Sequence, residues 1–187
     1  MAPNSSTNLA TSVFFFFFFL LLTILVSSTE ATKHQFLNLR ETNMVFYMQD
    51  LQSGANATSI QVGGPLKKLW SFLTFGTVYS VDDSLMAGIN RNSTQIGRAH
   101  GIFINSALDG SDLHILMSLI FTNKEYNGST LEIQGADRVY QKYREVSVVS
   151  GTGKFRLARG YATLETVNFD IKNLAAIIRW NVTVFHY

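Results

Sequence analysis

The chain contains no cysteine. Disulfides are unavailable, so the fold must be held by its core and by association of copies. Histidine is scarce as well. His34, His100, His114 and His186 are scattered, with no spacing that would set two imidazoles beside each other around a metal. No dinucleotide fingerprint and no haem motif occurs, so the expectation is a chain without cofactor or metal, unable to move electrons by itself. The G-x-S-x-G elbow of a serine nucleophile is missing. Charge is sparse and balanced: 15 Lys and Arg against 13 Asp and Glu give a formal net charge of +2. Without a strong field or a basic block, nucleic acid is not an expected partner.

Long apolar runs are confined to one place. Val13 to Val26 reads VFFFFFFLLLTILV, broken only by Thr23. A bilayer span needs about 20 such residues, so this run is too short to be one. Small and polar residues follow, offering cleavage near Ser28 to Ala31. The pattern predicts a secretory signal peptide over residues 1–31 and one domain over 32–187, a mature chain of about 155–160 residues. No Lys or Arg precedes the run, so the α-amino group alone supplies positive charge there. Four sequons agree with export: Asn56-Ala-Thr58, Asn92-Ser-Thr94, Asn127-Gly-Ser129 and Asn181-Val-Thr183. The expected location is extracellular, with no membrane contact once the signal is removed.

Beyond residue 43 the hydrophobic pattern has period two. Leu113, Ile115, Met117, Leu119 and Phe121 fall on one face of a strand; Leu131 and Ile133 do the same in the next. Asn127-Gly128 between them is a turn signal, so the two form a hairpin. Ile178, Trp180, Val182 and Val184 alternate with polar residues, which sends the Asn181 sequon outward. Further strands are expected at Met44–Leu51, Ser59–Val62, Gly76–Val81, Gly97–Ser106, Val146–Val149 and Phe155–Phe169. With no sustained 3.6-residue stripe, the chain reads as an all-β sandwich or barrel. Apolar residues on both faces, as at Leu116 and Ile120, suit a closed barrel whose outside meets a partner subunit.

One stretch invites a sharper reading. Ser150-Gly-Thr-Gly-Lys154 follows an apolar run as a phosphate loop would. The motif requires Ser or Thr after the lysine and an earlier glycine, but Phe155 and Val148 stand there. The alternation that follows is that of a strand, so Gly151 and Gly153 are expected to shape a turn between strands. Among the few acids, Asp50 and Asp137 stand at strand ends beside apolar runs. A carboxyl in such surroundings has its pKa raised and can act as a general acid.

Several blocks together carry a resemblance. VYSVDDSLMAG, IGRAHGIF, YNGSTLEIQGAD, REVSVVSGTGKFRLARGYATLET and NVTVFHY, in that order from about Met44 to Tyr187, resemble the plant dirigent proteins. The resemblance implies an eight-stranded antiparallel β-barrel, like that of allene oxide cyclases, assembled as a homotrimer and secreted to the apoplast. It implies a function without redox chemistry: binding phenoxy radicals, made from monolignols such as coniferyl alcohol by a separate oxidase or laccase, and directing their coupling to one lignan isomer. Some relatives instead cyclise a quinone methide, as in pterocarpan formation by dehydration; a secreted binding protein of defence or cell wall is a third possibility. By motif, the family's pocket acids match Asp50 and Asp137, its arginine matches Arg144 and its threonine matches Thr166. The two acids and the arginine would contact phenol or quinone-methide oxygens. Two departures stand out. Gln49 replaces the histidine usual before Asp50, and Phe103 stands where many members have a pocket tyrosine. Asp82 and Asp83 are expected in a turn, which aspartate favours.

Overall fold

The period-two pattern becomes nine strands in a computed structural model that describes residues 12–25 and 39–187. They are β1 (Arg40–Leu51), β2 (Ser59–Gly63), β3 (Val78–Met86), β4 (Gln95–Asn105), β5 (Asp112–Phe121), β6 (Thr130–Arg138), β7 (Arg144–Thr152), β8 (Arg159–Asp170) and β9 (Ala175–His186). Residues 12–25 form a helix, described by itself. Among the described residues no helix is long and apolar enough to cross a membrane. The cleavage region Ser28 to Ala31 lies outside them.

Every neighbouring pair of strands is antiparallel, in the order β1-β9-β8-β7-β6-β5-β4-β3-β2. Closure comes from a second contact of β3. Its pairs Tyr47↔Met86, Met48↔Leu85 and Gln49↔Ser84 join it to β1. The other half of the same edge pairs with β2, from Val81 to Val78. Eight strands therefore close a barrel, and β2 is an extra strand that takes over the seam where β1 leaves it.

Alternation decides what fills the barrel. Leu113, Ile115, Met117, Leu119 and Phe121 are all buried, as are Leu131 and Ile133 across from them. Trp180, Val182 and Val184 are fully buried on β9, while Asn181 between them is exposed. Strand edges differ from the sequence expectation in one instructive place. Phe155 does not begin a strand; it lies in a short 3-10 turn, Gly153–Phe155, and β8 starts at Arg159.

That turn is a plug. Phe155 is fully buried and packs edge-on to Phe121 at 5.7 Å, beside Tyr126 at 4.9 Å and His186 at 5.2 Å. The glycines permit it. A Cβ on Gly151 would stand 2.5 Å from the Phe155 carbonyl oxygen, and Gly153 has φ +59° with Ser129 Oγ 2.6 Å from where its Cβ would be. Ser129 Oγ also accepts from the Lys154 amide at 3.0 Å, and Lys154 Nζ donates to the Glu125 carbonyl at 2.6 Å. The glycine-lysine stretch thus closes one end of the barrel, and its lysine is spent on the neighbouring loop.

Phe155→Ala is expected to cost about 3–5 kcal/mol, the range for truncating a buried aromatic. Urea unfolding checks this. A loss under about 1 kcal/mol would mean that the end of the barrel collapses over the gap and Phe155 is no plug.

Candidate functional site

The end opposite the plug gathers the polar residues. Asp50 near the end of β1, Asp83 on β3, Asp137 on β6 and Arg144 at the start of β7 all face inward and are buried. They interrupt otherwise apolar inner faces, so they meet at one level of the barrel.

Register explains how they pair. Along the β1–β3 ladder the last pair is Gln49↔Ser84; one further step sets Asp50 across from Asp83. Along β6–β7, Gln134↔Ser147 extended three steps sets Asp137 across from Arg144. In the ring of eight strands these two seams lie four strands apart in either direction. The Asp50–Asp83 wall and the Asp137–Arg144 wall therefore face each other across the lumen.

Their electrostatics differ. Arg144 Nε stands 2.9 Å from Asp137 Oδ1, an ion pair almost wholly out of water. Neither atom makes an aligned hydrogen bond, so the contact is held by charge and distance. Arg144 Nη1 donates to Thr166 Oγ1 at 2.9 Å, which fixes the guanidinium plane. Burial pushes the Asp137 carboxyl up, and the arginine partly opposes it. The other wall has no buried cation. Burial raises Asp50, against the hydroxyl of Ser59 and the amide of Gln52, which donates to Oδ2 at 2.8 Å. Burial, followed by the charge of Asp50, pushes Asp83 up to about 8, while a 2.5 Å hydrogen bond from Thr58 Oγ1 pulls the other way. Like charges facing each other in a dry site cannot both ionise cheaply.

Asp82 shows the contrast one residue away. It points outward, pairs with Arg98 and lies 2.9 Å from His100 Nε2. The Arg98 hydrogen bond holds its carboxyl below the usual range. Both aspartates belong to β3, so the expected turn is corrected: alternation within a strand sends Asp82 to solvent and Asp83 to the interior.

The residues singled out in sequence fall as follows. Asp50, Phe103 and Asp137 line one internal cavity of about 50 Å³, together with Asp83, Trp180 and Met117 among others. Arg144 stands behind Asp137, and Thr166 is exposed and reaches the site through Arg144. Phe103 stacks on Tyr79 with ring centroids 4.5 Å apart. The Tyr79 hydroxyl accepts from Gln61 at 2.6 Å, so a phenol stands one strand over from the position that lacks one. Sequence reasoning missed Asp83 and Tyr79. Strict alternation through VYSVDDSL, which puts both on the face of Val81 and Leu85, was the signal that could have found them. The sequon residues Asn56, Asn92, Asn127 and Asn181 are all exposed.

A cavity of about 50 Å³ holds a water or two; small-molecule sites typically offer about 300–1,000 Å³. A phenolic ligand therefore requires side chains at this end to move. The loop between β2 and β3 lies there: Asn105 Nδ2 donates to the Phe72 carbonyl at 2.9 Å, and Phe72 packs against Phe169. Among the described residues no cluster of His, Asp or Glu is arranged to hold a metal ion.

Comparison with known proteins places this geometry. A profile of the dirigent-like protein family matches residues 41–185. The chain is 34% identical over 173 residues to pterocarpan synthase 1 of Glycyrrhiza echinata, covering 88% of this chain and 92% of that one. It is 38% identical over 145 residues to dirigent protein 23 of Arabidopsis thaliana, 78% of each chain. A solved structure of a pterocarpan synthase dirigent protein superposes with a TM-score of 0.75 at 35% identity, covering 80% of this chain and 86% of that one.

Raised carboxyls have a consequence for stability. The folded state keeps protons that unfolded aspartates release above about pH 4. Their stabilising effect is fully present below that pH and is lost as pH rises, through about 8 for Asp83. Urea midpoints are expected to fall between about pH 5 and pH 8, and Asp83→Asn is expected to flatten the slope. A wild-type midpoint that holds or rises over this range would contradict the burial account.

Proposed function

The chain belongs to the dirigent-like protein family, and on that premise we propose that it directs ring closure of a phenolic quinone methide, as a dirigent-type cyclase. The observation that carries this is the pair of facing walls, one holding two buried carboxyls with no buried cation beside them and the other a carboxyl paired with a fixed guanidinium. Closure requires a proton at one oxygen and removal of a proton at another, and the walls stand on opposite sides of the lumen for the two tasks.

The chemistry balances without an oxidant. A benzylic alcohol conjugated to a phenol loses water and gives the quinone methide. A second phenol of the same molecule attacks the methide carbon, forming the C–O bond. The carbonyl oxygen takes a proton from the Asp50 wall and becomes a phenol, while the attacking oxygen gives its proton to Asp137. Solvent takes the proton from Asp137 and returns one to the Asp50 wall, so overall substrate becomes cyclic product plus water. Arg144 serves as a fixed guanidinium donor that orients Asp137 and an oxygen of the substrate. The similarity to two kinds of relative, one named for pterocarpan synthesis, supports this class of substrate.

A second reading is stereodirected coupling of phenoxy radicals supplied by a separate oxidase or laccase, as in lignan formation. The apolar wall around Phe103, stacked on Tyr79, favours it, because holding rings by shape is all it requires. A tenfold enantiomeric preference asks for only about 1.4 kcal/mol. The acids would then orient phenols rather than transfer protons.

The same proposal carries export, glycosylation and trimer assembly. Support comes from the apolar helix at residues 12–25 and the four exposed sequon asparagines. On the outer face, exposed Ile102 lies directly across from exposed Leu116, an apolar strip suited to a second copy.

An isoflavanol-type substrate offered with no oxidant is expected to be closed to one enantiomer, and Asp137→Ala is expected to lower the rate by about 100-fold or more. Coniferyl alcohol with a one-electron oxidant is the parallel arm. Turnover only there, with an enantiomerically enriched lignan, would replace the cyclase reading by the coupling one; racemic lignan and no closure would sink both.

A further inference from the structure

The two carboxyls at the β1–β3 seam are not equivalent, and their wiring says which one carries the proton. Thr58 lies in the short connection from β1 to β2, beside the seam. Its Oγ1 accepts from the Leu51 amide at 3.1 Å, and its hydroxyl donates to Asp83 Oδ1 at 2.5 Å. With the Thr58 hydrogen already between Oγ1 and Oδ1, a second hydrogen cannot occupy the same gap. While Thr58 donates to Oδ1, an acid proton on Asp83 sits on Oδ2. Asp50 is held differently: Gln52 donates to Oδ2, and Oδ1, on a side chain 8% exposed, makes no aligned hydrogen bond, with the Ser59 hydroxyl the other polar group that bears on the carboxyl. Both residues line the same cavity.

Resting on the ring-closure reading, we propose that Asp83 is a further catalytic acid of this site, the carboxyl that holds the resting proton and shares it with Asp50. Asp83 is 1% exposed, so no bulk water competes for that proton. The groups that bear on Asp83 come from every element around it: Asp50 on β1, Asp82 on its own strand, Arg98 on β4 and the Thr58 hydroxyl. Burial, the largest influence, and the charges of Asp50 and Asp82 disfavour its ionisation, and Thr58 and Arg98 favour it. Across the lumen, Arg144 is already paired with Asp137, so no buried cation is left for the seam. A proton removes one of the seam's two negative charges instead. In a turnover it passes to the quinone-methide oxygen, the seam is left as one carboxylate pair with an added negative charge, and solvent restores the proton as product leaves.

The test is the pH dependence of closure of the isoflavanol-type substrate, with protein made without glycosylation because Thr58 completes the Asn56 sequon. Wild-type kcat/KM is expected to fall as pH rises past about 8, as the seam loses its proton. Asp83→Asn is expected to abolish that limb and lower the rate about 100-fold, within the usual range for removing a general acid. Thr58→Val is expected to move the limb to higher pH, and Thr58→Ser to restore it. Unchanged rate and limb in a folded Asp83→Asn protein would overturn the proposal while leaving the cyclase reading intact. Carboxyl ¹³C NMR titration of the same proteins keeps the two separable. Asp83 protonated at pH 7, with a titration that moves down in Asp50→Asn, is expected even if no substrate turns over, in which case the cyclase reading is what fails. Asp83 ionised at pH 7 would overturn the proposal by itself.

Discussion

Three residue pairs between β1 and β3 close the barrel, and the rest of the structure depends on that closure. An open sheet would leave Asp83 at an edge, wet and ordinarily acidic. Closed, the same strand buries Tyr79, Val81, Asp83 and Leu85 in one row and turns Asp82 to solvent. No disulfide secures the seam, since the chain has no cysteine. It is secured by the apolar filling that runs from Trp180 and Phe46, stacked at 6.0 Å, down to the Phe155 plug.

Burial then sorts the acids by what stands opposite each. Asp137 meets Arg144, whose charge opposes the effect of burial on the carboxyl. Asp50 meets Asp83 one step beyond the last pair of the ladder, and that wall sheds one of its two negative charges by keeping a proton. A barrel with one such wall could only bind. Two walls of different kind, four strands apart, present a donor and an acceptor to whatever lies between them. Proton transfer at both ends of a small planar molecule is the chemistry this arrangement suits. The small cavity adds one condition, which is that the mouth must widen before a ring system enters.

Much of this was legible in the residues. Alternation in Leu113–Phe121 and Ile178–Val184 marked inward faces that the structure fills as expected. Asp50 and Asp137 stood out because single acids within apolar strands are costly without a purpose. Asp83 was obscured by its neighbour: two aspartates in a row look like a turn, and only the strand's two-residue period separates their fates. Phe155 was obscured for the opposite reason, since it continues an alternating run yet is bent inward by a turn that two glycines allow. The pairing of the walls lay beyond the sequence, because it follows from ladder registers between distant segments.

Burial in the closed barrel favours carboxyl protons held at neutral pH, at Asp83 above all. Proton exchange on unfolding measures this directly: weakly buffered protein at pH 7 is unfolded in urea while released acid is titrated. Net release of protons is expected as the buried carboxyls reach water and ionise, reduced in Asp83→Asn. No release, or the same release from that variant, would contradict it.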